Sequence, residues 1–122
     1  PEEQQRFDAG KQIYLSTCAG CHQQDGMGMP GVAKPLVGSP WVTGRADHLL
    51  RILLHGKEGE MLMPGVGATL SNEEIAAVST YIRRMGTNQA SPVDPEQVHE
   101  VRGVTTGRDQ PWTEEELARA GR

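Results

Sequence analysis

Cys18, Ala19, Gly20, Cys21 and His22 form the run in this chain whose residue types and spacing carry the most specific chemistry. Two thiols three positions apart, followed at once by an imidazole, match the pattern by which a haem is attached covalently to protein. Each sulfur adds to one vinyl group of the macrocycle, so the thiols must lie about one helical turn apart. The next residue then turns a ring nitrogen toward the iron as proximal ligand. The chain has 2 Cys in all, so none is left for a disulfide, a cluster or a nucleophile. Two other readings use the same residues. A thioredoxin-like dithiol belongs beside a strand–helix–strand unit, and no such unit is legible. A structural zinc site wants four ligands, and adjacent Cys21 and His22 fit one tetrahedral ion poorly, with no second C-x-x-C or H-x-x-x-H pair to complete it.

An iron that shuttles electrons without binding oxygen needs a second axial ligand, on the face opposite His22. The chain offers Met27, Met29, Met61, Met63, Met85, His48, His55 and His99. Met27 and Met29 follow His22 too closely to cross the ring easily. Met85 falls in a helical stripe and reads as core. His48 and His55 flank a short apolar helix, where a surface or core histidine is the plain interpretation. Met61 and Met63 stand in a Gly- and Pro-rich loop just ahead of a capped helix.

The elements that must position these groups are helices. Apolar spacing through Phe7, Gly10, Ile13, Tyr14 and Thr17 predicts a helix over residues 3–17, running straight into the thiol motif. Residues 23–44 alternate Gly with Pro and read as loop. Residues 46–55 form a short apolar helix stopped by Gly56, and 57–70 are loop again. Ser71 and Glu74 make a capping box for a helix over 72–85, with Ile75, Val78, Tyr81, Ile82 and Met85 as its stripe. Arg83 and Arg84 then complement the helix dipole, and Gly86 stops it. Beyond it, Asp94-Pro95 caps a short helix to about Val101, and Thr113 starts a last one ending near Ala120. No strand alternation and no repeat is present, so the chain is all-α with long loops.

At 122 residues the chain makes one compact haem domain plus a tail. Aromatic content is only 4%, thin for a core of this size, and a buried macrocycle would make up the deficit. Residues 1–86 carry 8 basic and 9 acidic side chains, and residues 87–122 carry 4 and 7, so the acidity lies mostly in the tail. No basic stripe suits nucleic acid. No run is long enough to span a bilayer. The polar start, Pro1-Glu2-Glu3-Gln4-Gln5, lacks the features of a signal peptide; the expectation is that one was removed or that this is an excised piece, with room for a lost anchor upstream.

Gly10 and Tyr14, Cys18 to His22, Pro35-Leu36, Met63-Pro64, Leu70 to Ile75 and Tyr81-Ile82 together resemble a class I bacterial cytochrome c over residues 5–86. The resemblance implies helices wrapped around one haem c bound through Cys18 and Cys21, with His22 and Met63 as its axial ligands. It places Gly10 against Tyr81, flanked by Tyr14, where the first and last core helices cross. It makes the Pro35 carbonyl the acceptor for the free ring N–H of His22. It further suggests the Trp41 indole as a donor to a haem propionate, and Arg51 or Arg45 as its countercharge. The family pattern ends near Gly86. The tail, 87–122, reads as an extension packing on the core through Val98, Val101, Val104, Trp112 and Leu117 rather than as an acidic linker. Extended cytochromes of this class occur in thermophilic bacteria, where one feeds a caa-type haem–copper oxygen reductase, and the chain resembles that kind of protein.

The function expected from this reading is one-electron transfer, not catalysis, in a monomer of the periplasm or the outer face of the cytoplasmic membrane. The expected partners are redox proteins: an upstream quinol-oxidising complex or dehydrogenase, and a downstream terminal oxidase. A haem domain or partner of a periplasmic dehydrogenase is the alternative. A haem enzyme or gas sensor would need an open distal face. The loop 23–34, with Asp25 and Lys34 as its two charges and Met27, Met29, Pro30 and Val32 between, predicts apolar docking.

Overall fold

A computed structural model, describing residues 2–59 and 62–120, places α1 (Glu2–Thr17), α2 (Ala19–His22), α3 (Pro40–Thr43) and α4 (Ala46–His55) in succession. Then come the two-residue strands β1 (Gly56–Lys57) and β2 (Met63–Pro64), followed by α5 (Asn72–Ile82), α6 (Pro95–Val104) and α7 (Glu114–Arg119). Side-chain caps set the start of the last three helices. Ser71 with Glu74, Asp94 with Gln97 and Thr113 with Glu116 each form a reciprocal capping box. Pro95 sits at the first position of α6, where no N–H is needed.

The crossing of α1 and α5 rests on one missing methyl. A Cβ on Gly10 would lie 1.9 Å from the Ala77 carbonyl oxygen and 2.9 Å from Tyr81 Cβ. Glycine alone allows the helices to approach so closely. Rings close the contact: Phe7 and Tyr81 centroids are 5.0 Å apart, and Tyr14 and Tyr81 5.4 Å. The Tyr14 hydroxyl donates to the Gln23 carbonyl at 2.6 Å, which fastens α1 to the chain just after the His22 turn. The main core gathers Tyr14, Leu49, Leu50, Leu53, Ile75, Val78 and Met85 with Val93, Val98 and Val101 of the tail.

The structure departs from the sequence expectations in several places. The loop over 57–70 contains half of an antiparallel ladder, Gly56 with Pro64 and Lys57 with Met63, too short to leave an alternation in sequence. A single turn, α3, interrupts the 23–44 loop. The stripe helix ends at Ile82, not Met85, because the Asn88 side chain donates to the Ile82 carbonyl at 2.9 Å. Val104 is 69% exposed and does not join the core. Arg83 also departs from its expected dipole role. It is 3% exposed, and its guanidinium donates to the carbonyls of Val42, Gly44 and Ser91 at 2.8 to 2.9 Å. Burial lowers its pKa, and these oxygens carry the cost of holding a charge inside.

Candidate haem site

Cys18 ends the turn continuous with α1, and α2 carries Cys21 and His22 one helical turn on. The Cys18 thiol is half-buried against the main core, and Cys21 is exposed. Burial, with Cys21 close by, pushes the Cys18 thiol up to about 11, so it stays protonated rather than standing as a reactive thiolate. His22 Nδ1 lies 3.0 Å from the Lys34 carbonyl oxygen. With that nitrogen donating, Nε2 is left to bind a metal, and the ring is held in one orientation.

The acceptor is therefore Lys34 and not Pro35. The strap is pinned on one side by the Met29–Ala33 bridge, at 2.8 and 3.0 Å, and on the other by the Leu36 N–H to the Gly26 carbonyl at 2.7 Å. Between these anchors the carbonyl facing the ring belongs to Lys34. Gly28, at φ +74°, is packed so closely that a Cβ would meet the Ala33 and Lys34 backbone within 2.8 Å.

Met63 sits in β2, half-buried, and packs against both the main core and a second cluster of Ile52, Trp112 and Leu117. Trp41 borders the same second cluster. Met61 lies outside the described residues. Met85 is core, 5% exposed. His55 Nε2 meets Thr105 Oγ1 at 2.8 Å, and burial, together with Arg108, Arg102 and Arg51, lowers its pKa.

Trp41 and Arg51 stand in one polar neighbourhood that the tail completes. The Trp41 ring is 5.9 Å from His48 and 5.4 Å from Lys57 Nζ. Lys57 in turn holds Glu114 of α7 at 2.9 Å, which lowers the pKa of that carboxyl. Arg51 lies 3.6 Å from Asp47 and 5.3 Å over the Trp112 ring, which also meets Arg108 at 3.5 Å and His55 at 6.3 Å between centroids. Arg45 holds Asp47 at 2.9 Å on the exposed side. The sequence singles out neither Trp112 nor Arg108 as a site residue, and His48 only as one of several candidate iron ligands. Trp112 is a packing residue by its sequence context, and nothing in the spacing ties position 112 to position 51.

The scan against family models matches residues 5–82 to the family described as cytochrome C oxidase, cbb3-type, subunit III. The chain belongs to this family of class I c-type cytochromes. It is 39% identical over 85 residues to cytochrome c-552 of Thermus thermophilus, covering 60% of this cytochrome and 64% of that one. It is 32% identical over 110 residues to the cytochrome c subunit of a quinone alcohol dehydrogenase of Gluconobacter oxydans, covering 82% of this chain and 23% of the relative. It is 29% identical over 96 residues to the cbb3-type oxidase subunit CcoP of Rhodobacter capsulatus, covering 73% and 32%. The cytochrome thus spans under two thirds of the length of these curated relatives. Its fold is similar to that of the c-type cytochrome XoxG of Methylobacterium extorquens, with a TM-score of 0.51 at 22% identity over 78% of this chain and 65% of the other.

Membership entails one covalently bound haem c, and the residues present fit it. Two free thiols and an oriented imidazole stand in the attachment order. In the polar neighbourhood of Trp41 and Arg51, buried His48 Nε2 and Trp112 Nε1 have no hydrogen-bond partner among the described residues. Each such orphan costs on the order of 1–3 kcal/mol. Donors of this kind suit the carboxylates that a haem carries at its edge.

Proposed function

We propose that this cytochrome is a one-electron carrier whose haem iron would be held by His22 and Met63, and that no substrate turns over at its metal. The bound haem supplies an iron that changes by one electron between ferric and ferrous. His22 contributes Nε2 while its Nδ1 stays tied to the Lys34 carbonyl. Met63 contributes a thioether, which favours the ferrous form and raises the potential. Cys18 and Cys21 would hold the macrocycle covalently, and Arg51 and Trp112, with Trp41 exchanging its Glu114 partner, would meet its carboxylates. Residues 1–86 form the haem-holding unit and 87–122 an extension packed on it. The observation that carries this reading is the placement of Met63 in a short ladder, packed on the same core that Cys18 borders.

One spectrum of the oxidised and reduced protein tests it. A sulfur-to-iron absorption at the red end, with no uptake of CO or cyanide by the native protein, is expected. Ready binding of either ligand would indicate an open distal face and a haem enzyme or sensor instead.

The partners we propose are an upstream quinol-oxidising complex or dehydrogenase and a downstream terminal oxidase, met by a monomer in the periplasm or on the outer face of the membrane. Among the described residues no helix is long and apolar enough to cross a membrane. The names of the relatives support both an oxidase link and a dehydrogenase link. The dehydrogenase alternative draws on the 82% of this chain that aligns with the Gluconobacter subunit. Reduction by a purified quinol-oxidising complex, faster than by a quinoprotein dehydrogenase, supports the first; the reverse order supports the second. Docking uses the loop beside α2. Leu15 and Met27, 39 and 52% exposed, line a depression there with Ala19, Gly20, Gln23, Gln24, Asp25 and Gly28, and Met29 and Val32 are each 41% exposed in the same loop. Oxidation rates should change little between low and physiological salt; a steep fall would mean charge steering instead.

A further inference from the structure

Residues 64–70 run between α4 on one side and α6 on the other. On the α4 side the fit is tight. Val66 N–H donates to the Leu53 carbonyl at 2.7 Å, and a Cβ on Gly65 or Gly67 would come within 2.7 Å of α4 backbone. On the α6 side a single side chain closes the segment. Arg102 donates through Nε to Asn72 Oδ1 at 2.7 Å, through Nη1 to the Gly67 carbonyl at 2.9 Å and through Nη2 to the Leu70 carbonyl at 3.1 Å. One guanidinium therefore spans the loop from its middle to the first residue of α5. The other end of the loop is held by the tail as well. Trp112 N–H donates to the Gly56 carbonyl at 2.9 Å, and Glu58 N–H to the Trp112 carbonyl at 2.8 Å. Trp112 thus adds a one-residue third strand to the ladder that carries Met63, while its ring packs in the cluster on which the Met63 side chain rests.

We infer that the C-terminal extension is a brace for the distal ligand, with Arg102 and Trp112 as positioning residues that keep Met63 in place. The inference rests on Met63 being that ligand. It gives the extension a role that anchoring the fold alone does not. Arg102 bonds to two backbone carbonyls of the ligand segment and to the side-chain amide of Asn72 at the start of α5, tying α6 to both. Without the brace, the loop has α4 on one side and solvent on the other. Its open, Met-off form then becomes more populated while the helices stay packed.

The test uses the full holo-protein in four forms: wild type, Arg102→Ala, Trp112→Ala and Met63→Ala. Two quantities are followed in urea, the sulfur-to-iron absorption and the far-UV helix signal, with the apparent affinity of the ferric protein for imidazole in buffer. In the wild type the two urea transitions should nearly coincide. In Arg102→Ala the sulfur signal should vanish well before the helices melt. Imidazole should bind about tenfold more tightly or better, since bonds from a charged donor to the closed loop are lost and the open fraction rises accordingly. Trp112→Ala should move the same way. If both signals shift together in these variants and imidazole affinity is unchanged, the residues merely stabilise the fold and the brace is overturned. Met63→Ala separates the two layers. Loss of its sulfur signal with Arg102→Ala unaffected sinks the brace alone, whereas an unaltered sulfur signal in Met63→Ala overturns the ligand assignment and the brace with it.

Discussion

The two sides of the haem site are built by opposite strategies. The attachment side is local. Cys18, Cys21 and His22 lie within five residues, the His22 acceptor is 12 positions on, and the Tyr14 tie to Gln23 spans 9. The Met63 side is assembled from far apart. Its partners come from α4, from Arg102 at a separation of 30 to 35 residues from its three acceptors, and from Trp112, which joins β1. Covalent bonds can carry the first side, so it tolerates exposure. Under the proposed ligation the second would depend on one sulfur–iron bond and on packing, and the chain surrounds it with structure. The lesson is that a ligand held only by its loop needs that loop held by something else.

The largest effect should come from removing the covalent side. Cys18→Ala with Cys21→Ala should lose haem into acidified organic solvent and leave a chain with little far-UV helix signal, because the core lacks its largest member. Retained pigment and helix content would show that the packing side suffices. Next is Gly10→Ala, which forces a methyl into the Ala77 carbonyl. It should cost about 3 kcal/mol in urea unfolding, at the upper end for overpacking. It should lower the helix and sulfur transitions together, in contrast to Arg102→Ala, since it acts on the crossing that both sides share. A loss confined to the sulfur signal would contradict that. Tyr14→Phe removes one bond on the attachment side and should cost about 1 kcal/mol, leaving imidazole affinity unchanged.

The smallest effect is a pH response of the tail. The Arg108 guanidinium, bonded to Glu116 at 2.8 and 3.2 Å, with the Thr113 N–H second, draws the Glu116 carboxyl down to about 2. Its folded pKa lies below the usual carboxylate value. The stabilisation is therefore fully present above that usual value and is lost as pH falls from about 4.5 toward 2. Protection of the α7 amides, taken against the intrinsic exchange rate at each pH, should fall over that range before the rest of the protein responds, and Glu116→Gln should abolish the pH dependence. The exposed setting keeps the effect small.

The parts legible in the sequence are those decided by near neighbours. The C-x-x-C-H motif is one helical turn of chemistry. The Ser71 cap with Glu74 and the Asp94-Pro95 start were readable because a cap acts within four residues. The Gly56 stop of α4 was readable because its φ of +91° suits glycine. The Gly10 crossing came from family resemblance, and the structure supplies its cause in the Ala77 carbonyl. The Pro35 assignment missed by one residue, since which carbonyl of a strap faces a ring depends on how both ends of that strap are pinned. Arg83 read as a dipole partner on an exposed helix end because nothing in its neighbourhood tells that Val42, Gly44 and Ser91 converge on it.

The chain's order of residues by itself determined the cofactor chemistry, the candidate imidazole beside the thiols and the helix starts, since each follows from spacing within a turn or two. Tertiary structure alone decided that Lys34 orients the imidazole, that Arg83 is buried, and that Arg102 and Trp112 close on the Met63 segment. Those outcomes depend on which carbonyls and rings meet across 8 to 56 positions of chain, and a side chain's preference for an oxygen does not say which oxygen folding will bring to it.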